Sequence, residues 1–72
     1  MSFKKGDKVS GAYLGVYDFT GSIWHLEQRS KGLNLYIELE RPIFVGDTAH
    51  ERNNIYVSTE DVQAKLKKVL DK

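Results

Sequence analysis

The sequence predicts a mainly β domain: a small, five-stranded, antiparallel and partly open barrel followed by a C-terminal α-helix. Three observations lead to this fold class. Apolar and polar residues alternate over residues 33–40, turn-forming Gly, Pro and polar residues separate the short apolar runs, and residues 59–71 change to helical spacing. The 72 residues make one domain, with the barrel at about 7–58.

The first two predicted strands cover residues 8–14 and 19–28. Gly21 indicates a bulge or a sharp bend inside the second of them. Trp24, His25 and Leu26 do not alternate cleanly, which predicts a twist or bulge where the exposed face changes. The residues between the two strands, 14–18, are predicted to form a loop or an irregular hairpin.

The third predicted strand, residues 33–40, has the clearest pattern in the chain. Its four apolar side chains share the buried face, and Tyr36 falls on the solvent face. Arg41-Pro42 then interrupts the pairing, because proline has no N–H to donate. A short edge strand at 43–45, a polar loop at 48–54 and a last strand at 55–57 complete the predicted barrel.

The C-terminal segment, residues 59–71, is predicted to be helical. Ser58 and Asp61 have the spacing of a capping box at its start. Four apolar residues occupy one narrow arc at about 100° per residue; they are Val62, Leu66, Val69 and Leu70. We expect this arc to dock on an open end or side of the sheet.

Composition limits the classes of function. The chain has no cysteine, no apolar run long enough for a membrane span, and 11 basic against 10 acidic residues. We therefore expect a soluble cytoplasmic protein without a cofactor and without a membrane partner. A net charge of +1 is low for a domain that binds nucleic acid through its overall charge.

One short pattern resembles a known family. Gly6-Asp7-Lys8-Val9, followed by Gly21-Ser22-Ile23, is similar to the Gly-Asp-x-Val … Gly-x-Val pattern of KOW, Tudor and related Src-homology-3-like barrels, over residues 6 to about 58. The resemblance implies a binding module for nucleic acid, peptides or methylated side chains, which uses aromatics on the first loop and neighbouring strands. The residues that match by position are Tyr13, Tyr17, Phe19, Trp24, Tyr36 and Tyr56.

The predicted binding surface is the loop from Leu14 to Phe19, with Tyr17 at its tip, placed beside Trp24 and Tyr36. Tyr56 is a further candidate, whereas Phe19 and Phe44 are expected to fill the core. Five basic residues could meet phosphates if the fold gathers them; they are Lys4, Lys5, Lys8, Arg29 and Lys31. The alternative is that these basic residues form an ordinary solvated surface.

The pattern favours a non-catalytic module that binds nucleic acid, DNA included. The alternative is a protein-interaction module, for example a small regulatory or inhibitor protein of phage or plasmid type. Its edge strand at 43–45 could pair with the sheet of a partner or with a second copy, and the chain is expected to be a monomer or a weak homodimer. We do not expect an enzyme, because no nucleophile motif is present. The pairs His25/Glu27 and His50/Glu51, without cysteine, are poor evidence for a metal site.

Overall fold

The computed structural model describes residues 3–69, which form one antiparallel sheet of five strands. The strands are β1 (Lys8–Tyr13), β2 (Tyr17–Gln28), β3 (Leu33–Val45), β4 (His50–Ser58) and β5 (Lys67–Lys68), and a 3-10 turn at Val62–Ala64 precedes β5. Their order in the sheet is β4-β3-β2-β1-β5. The mainly β, five-stranded antiparallel fold is confirmed, although the five strands are not the five that were predicted.

The core lies on one face of this sheet, and β3 supplies its centre. Leu35 and Ile37 are fully buried, and Leu39 is nearly so, which confirms the alternation in the sequence. Phe19 is also buried, as predicted, but Phe44 is 54% exposed, so its assignment to the core was wrong. The whole buried apolar cluster consists of Val9, Phe19, Ile23, Leu35, Ile37, Leu39, Ile55, Val57 and Ala64.

The sheet stays open, so the predicted barrel does not close. β4 and β5 are its two edges, and they do not pair with each other. The two halves of the sheet share β2: residues 17–22 pair with β1, whereas pairing with β3 begins only at Gly21 and Leu39. Before that point β2 and β3 diverge, and their far ends are joined by a hydrogen bond from Gly46 N to the Tyr17 hydroxyl (3.0 Å).

Pro42 interrupts the pairing between strands but does not end β3. The register between β3 and β4 shifts between Glu38 and Ile43, as the missing proline N–H predicts. Beyond the shift, residues 43–45 pair with residues 50–52 of β4. The segment 43–45 is therefore the end of a paired hairpin and not a separate edge strand, and most of the predicted polar loop at 48–54 belongs to β4.

The predicted C-terminal helix is wrong over the described part of the chain, to residue 69. A turn does begin where expected, since Asp61 Oδ1 accepts a hydrogen bond from Gln63 N (3.0 Å). It ends after three residues at Lys65, which has left-handed backbone angles (φ 50°, ψ 43°). Residues 67–68 then pair with Ser10 and Val9 of β1. A helix of about a dozen residues is only marginally stable in isolation, and extension along β1 satisfies the backbone instead; residues 70–71 lie outside the described range.

A contact near the N-terminus also holds β5 in place. Asp7 accepts a hydrogen bond from Lys4 N (3.0 Å) and forms an ion pair with Lys68 Nζ (3.3 Å). The Lys4 N–H, and secondarily the Lys68 ammonium, lower the pKa of the Asp7 carboxyl. Within residues 3–69, no helix is long and apolar enough to cross a membrane.

Candidate binding face

Trp24 occupies a β-bulge, and this bulge organises the outer face of the sheet. The pairing of β2 with β3 shifts between Ile23 and His25, three residues after Gly21. Ile23 is 2% exposed, on the core side, whereas Trp24 is 49% exposed and His25 also faces solvent. An extra residue in one strand breaks the two-residue alternation, so two consecutive rings lie on the outer face, as the irregular pattern at 24–26 indicated.

The register between strands places four rings side by side. His25 is opposite Tyr36 on β3, and Tyr36 is opposite Tyr56 on β4. Their ring centroids are 5.2 Å and 5.3 Å apart, and Trp24 lies 5.7 Å from Tyr36 and 5.8 Å from His25. These separations are within the range of favourable tilted and edge-to-face aromatic pairs. We call Trp24, His25, Tyr36 and Tyr56 the aromatic face.

The aromatic face remains accessible although its rings contact one another. Tyr56 is 54% exposed and Trp24 49% exposed, while Tyr36, in the middle, is half-buried by its neighbours. Contiguous exposed patches of apolar side chains often mark interaction sites on soluble proteins. Three strands thus hold a rigid, exposed cluster of rings, which is the type of surface that forms hot spots in complexes.

Tyr17 does not belong to this face. It is already the first residue of β2 and pairs with Tyr13, so the tip of the first hairpin is formed by residues 14–16. Its hydroxyl accepts the hydrogen bond from Gly46 N. Seven positions along β2 separate it from Trp24, up to roughly 23 Å at about 3.3 Å per residue. The predicted placement of Tyr17 at a loop tip beside Trp24 and Tyr36 was wrong.

Three of the five predicted basic residues, Lys8, Arg29 and Lys31, are not gathered in one place. Lys8 lies opposite Ser22 at the start of β1 and forms an ion pair with Glu40 (2.7 Å). Arg29 and Lys31 lie in the turn between β2 and β3, which is closed by a hydrogen bond from Arg29 N to Gly32 O (2.8 Å). Lys8 therefore lies beside the middle of β2, whereas Arg29 and Lys31 lie beyond the end of that strand.

Carboxylates border the aromatic face as closely as the basic residues do. The Tyr36 hydroxyl donates a hydrogen bond to Glu27 Oε1 (2.9 Å). Glu38 lies two residues beyond Tyr36 on β3, opposite Asn54, so its side chain is on the same face. Glu27 is the main cause that raises the pKa of the Tyr36 hydroxyl above its usual value of 10.0, with burial and the Tyr56 charge adding to the effect and Arg29 opposing it.

Replacing Glu27 with glutamine is expected to lower the Tyr36 pKa towards 10, because the charged acceptor of its proton is removed. A raised folded-state pKa stabilises the fold below the unfolded value of about 10, and this stabilisation is lost as the pH rises through the folded value. Titration of the Tyr36 Cζ chemical shift by NMR measures the change. Glu38→Gln is the matched control, since Glu38 does not accept this proton; equal shifts in both variants would contradict the assignment.

The surface has several shallow depressions, and one of them is a groove where β2 and β3 diverge. It is lined by Asp18, Phe19, Thr20, Glu40, Arg41, Pro42 and Ile43. The groove is open to solvent and contains neither histidine. Within residues 3–69, no group of three or more His, Asp or Glu side chains is placed to hold a metal ion.

Fold and site together define a small β-sheet domain with an exposed aromatic face. Comparison of the chain with protein-family models, with curated proteins and with solved structures finds no significant match. The function is therefore inferred from the geometry of this face.

Proposed function

We propose that this domain is a non-catalytic binding module and that the aromatic face holds its ligand. The observation that carries the proposal is the exposure of Trp24 and Tyr56 on either side of Tyr36, fixed across three paired strands. Rigid aromatic side chains provide contact area at a low cost in conformational entropy. The relation to small Src-homology-3-like barrels stays a proposal that rests on the pattern Gly6-Asp7-Lys8-Val9 and Gly21-Ser22-Ile23, and this sheet does not close.

The ligand that the face fits best is the surface of another protein. Single-stranded nucleic acid needs a basic track beside the stacking rings, whereas here Glu27 and Glu38 border the rings and Lys8 pairs with Glu40. A phosphate backbone laid across the row would approach these carboxylates. Protein interfaces, in contrast, combine aromatic centres with rims of mixed charge.

Nucleic acid is the second candidate, and one observation favours it. Arg29 is close enough to Tyr36 for its charge to act on the hydroxyl, and Lys31 lies in the same turn. A base stacked on Tyr36 could therefore have its phosphate near this turn. Such binding would weaken steeply with salt, and Lys31→Ala would reduce that salt dependence.

Trp24→Ala is expected to weaken binding by roughly thirtyfold, which corresponds to about 2 kcal/mol for the loss of an exposed aromatic hot spot. The experiment compares the wild type with Trp24→Ala, using Val16→Ala as the control, because Val16 is 72% exposed at the distant hairpin tip. Immobilised domains capture proteins from the source cells, and the domains are titrated separately with single-stranded DNA and RNA at two salt concentrations.

The two ligand classes give different results in this experiment. A protein captured by the wild type and by Val16→Ala, but not by Trp24→Ala, supports the first candidate. Salt-sensitive shifts of the Trp24 indole signal on addition of an oligonucleotide support the second. Binding of any ligand that Trp24→Ala leaves unchanged would show that the aromatic face is not the binding site.

A further inference from the structure

The two edges of the sheet differ in how well they are protected. β5 has only two residues, and both are lysines, which discourages pairing with another strand. β4 has nine residues, and its last six, residues 53–58, contain neither a charged side chain nor proline. Proteins usually protect a long edge with charge, proline or a bulge. The exposed side of β4 lacks these features from Asn53 to Ser58.

Hydrogen bonding fixes which backbone groups of β4 face outwards. Thr59 N donates to Leu33 O (2.9 Å), and the same register pairs Val57 with Leu35 and Ile55 with Ile37. Because successive residues of an antiparallel strand direct their N–H and C=O groups to opposite sides, Ile55 and Val57 bond to β3. The backbone groups of Asn54 and Tyr56 and the N–H of Ser58 therefore point to the open edge.

We propose that β4 pairs antiparallel with β4 of a second copy of this chain, across a two-fold axis at Tyr56. In this register the N–H of each Tyr56 donates to the carbonyl of the partner's Tyr56. The N–H of each Ser58 donates to the carbonyl of the partner's Asn54. The N–H of each Asn54 donates in return to the carbonyl of the partner's Ser58. This carbonyl already accepts from Asp61 N (3.1 Å), and its second lone pair is available for the bond between copies.

The side chains are self-complementary in the same register. On the outer face Tyr56, 54% exposed, meets the partner's Tyr56, and on the core face Ile55 meets the partner's Val57. Aromatic pairs and β-branched pairs are among the favourable cross-strand combinations, and no like charges oppose each other. A two-fold axis requires such an isologous surface. This self-complementarity favours a second copy over an unrelated strand as the occupant of the edge.

The pairing is expected to be weak, because it joins only residues 54–58 of each chain and buries far less area than stable dimers do. It does not depend on the proposed function. The pairing joins the aromatic faces of two copies into one continuous row through the two Tyr56 rings, so that one bound ligand can contact both copies.

Tyr56→Lys tests the proposal on the full chain by sedimentation equilibrium. The substitution places two ammonium groups at the two-fold axis, and the dimer dissociation constant is expected to rise at least about tenfold. Trp24→Lys is the matched control: it puts the same charge at a similarly exposed ring, but on β2, away from the edge, and it should change the constant by less than about twofold. Circular dichroism verifies that both variants are folded.

A second measurement does not depend on any variant. In the wild type, the amide hydrogens of Tyr56 and Ser58 should exchange with solvent more slowly as the protein concentration rises, because dimer formation protects them. Any one of three results would overturn the proposal. The wild type is monomeric at millimolar concentration, the exchange of the edge amides is independent of protein concentration, or both lysine variants weaken dimer formation equally. Trp24→Lys is expected to abolish ligand binding at the aromatic face but to leave β4, and therefore dimer formation, intact. Failure of the dimer proposal can thus be distinguished from failure of the proposed binding function.

Discussion

Replacing Ile37 with alanine is expected to lower the free energy of unfolding by about 2–5 kcal/mol. Ile37 is fully buried on β3, where it lies between Ile23 on β2 and Ile55 on β4. The substitution removes three carbon atoms from contact with both neighbouring strands and leaves a cavity. A domain of this length has a total stability of only about 4–10 kcal/mol, so the variant loses a large share of it.

Urea denaturation followed by circular dichroism measures the effect of Ile37→Ala. Val16→Ala is the control, because Val16 is 72% exposed and its truncation should change stability by no more than about 0.5 kcal/mol. A loss below about 1 kcal/mol for Ile37→Ala, or equal losses for both variants, would mean that β3 does not form the centre of the core.

Gly21→Ala is the second substitution with a large expected effect, a destabilisation of about 1–3 kcal/mol. A Cβ atom at Gly21 would overlap the carbonyl oxygen of Glu38 and lie 2.7 Å from Ile37 Cγ2. The carbonyl cannot move away without disturbing the pairing of β2 with β3, which begins at this residue. Glycine is therefore needed here for close approach of two strands, whereas the sequence indicated a bulge or a bend.

The neighbouring residue provides the control for Gly21→Ala. Ser22 is exposed on the same strand, so Ser22→Ala should change the unfolding free energy by less than about 0.5 kcal/mol. Thermal or urea unfolding of the two variants measures their free energies of unfolding. The comparison separates the steric clash of the Gly21 Cβ atom from the general effect of placing an alanine in β2. If both substitutions had the same small effect, the close contact at Gly21 would not exist in solution.

Local patterns predicted the centre of the fold because they depend on few other residues. Alternation in residues 33–40 reflects one buried and one solvated face, and Leu35 and Ile37 lie where that pattern places them. The break at Pro42 was likewise a local property. In contrast, the apolar arc that includes Leu66 and Val69 fits a helix when the segment is considered alone. Only the pairing of residues 67–68 with β1 makes this segment extended instead of helical.

The candidate site depended on information that a single sequence does not contain. Trp24, Tyr36 and Tyr56 were candidates by residue type, but their assembly requires the register of three strands. His25 was not proposed as a member; the irregular alternation around it was a signal, because a bulge turns two successive residues outwards. Tyr17 was placed wrongly because its role, a hydrogen bond to Gly46 N, arises from a distant hairpin.

The return of β5 to β1 has a consequence for how the chain folds. The pairs β1–β2, β2–β3 and β3–β4 are hairpins between neighbours in sequence, so each closes a short loop at a small entropic cost. The pairing of Lys68 with Val9 instead closes a loop of almost the whole chain for only two residues of sheet. The three hairpins are therefore expected to form the core and the aromatic face first, and β5 is expected to dock onto β1 afterwards.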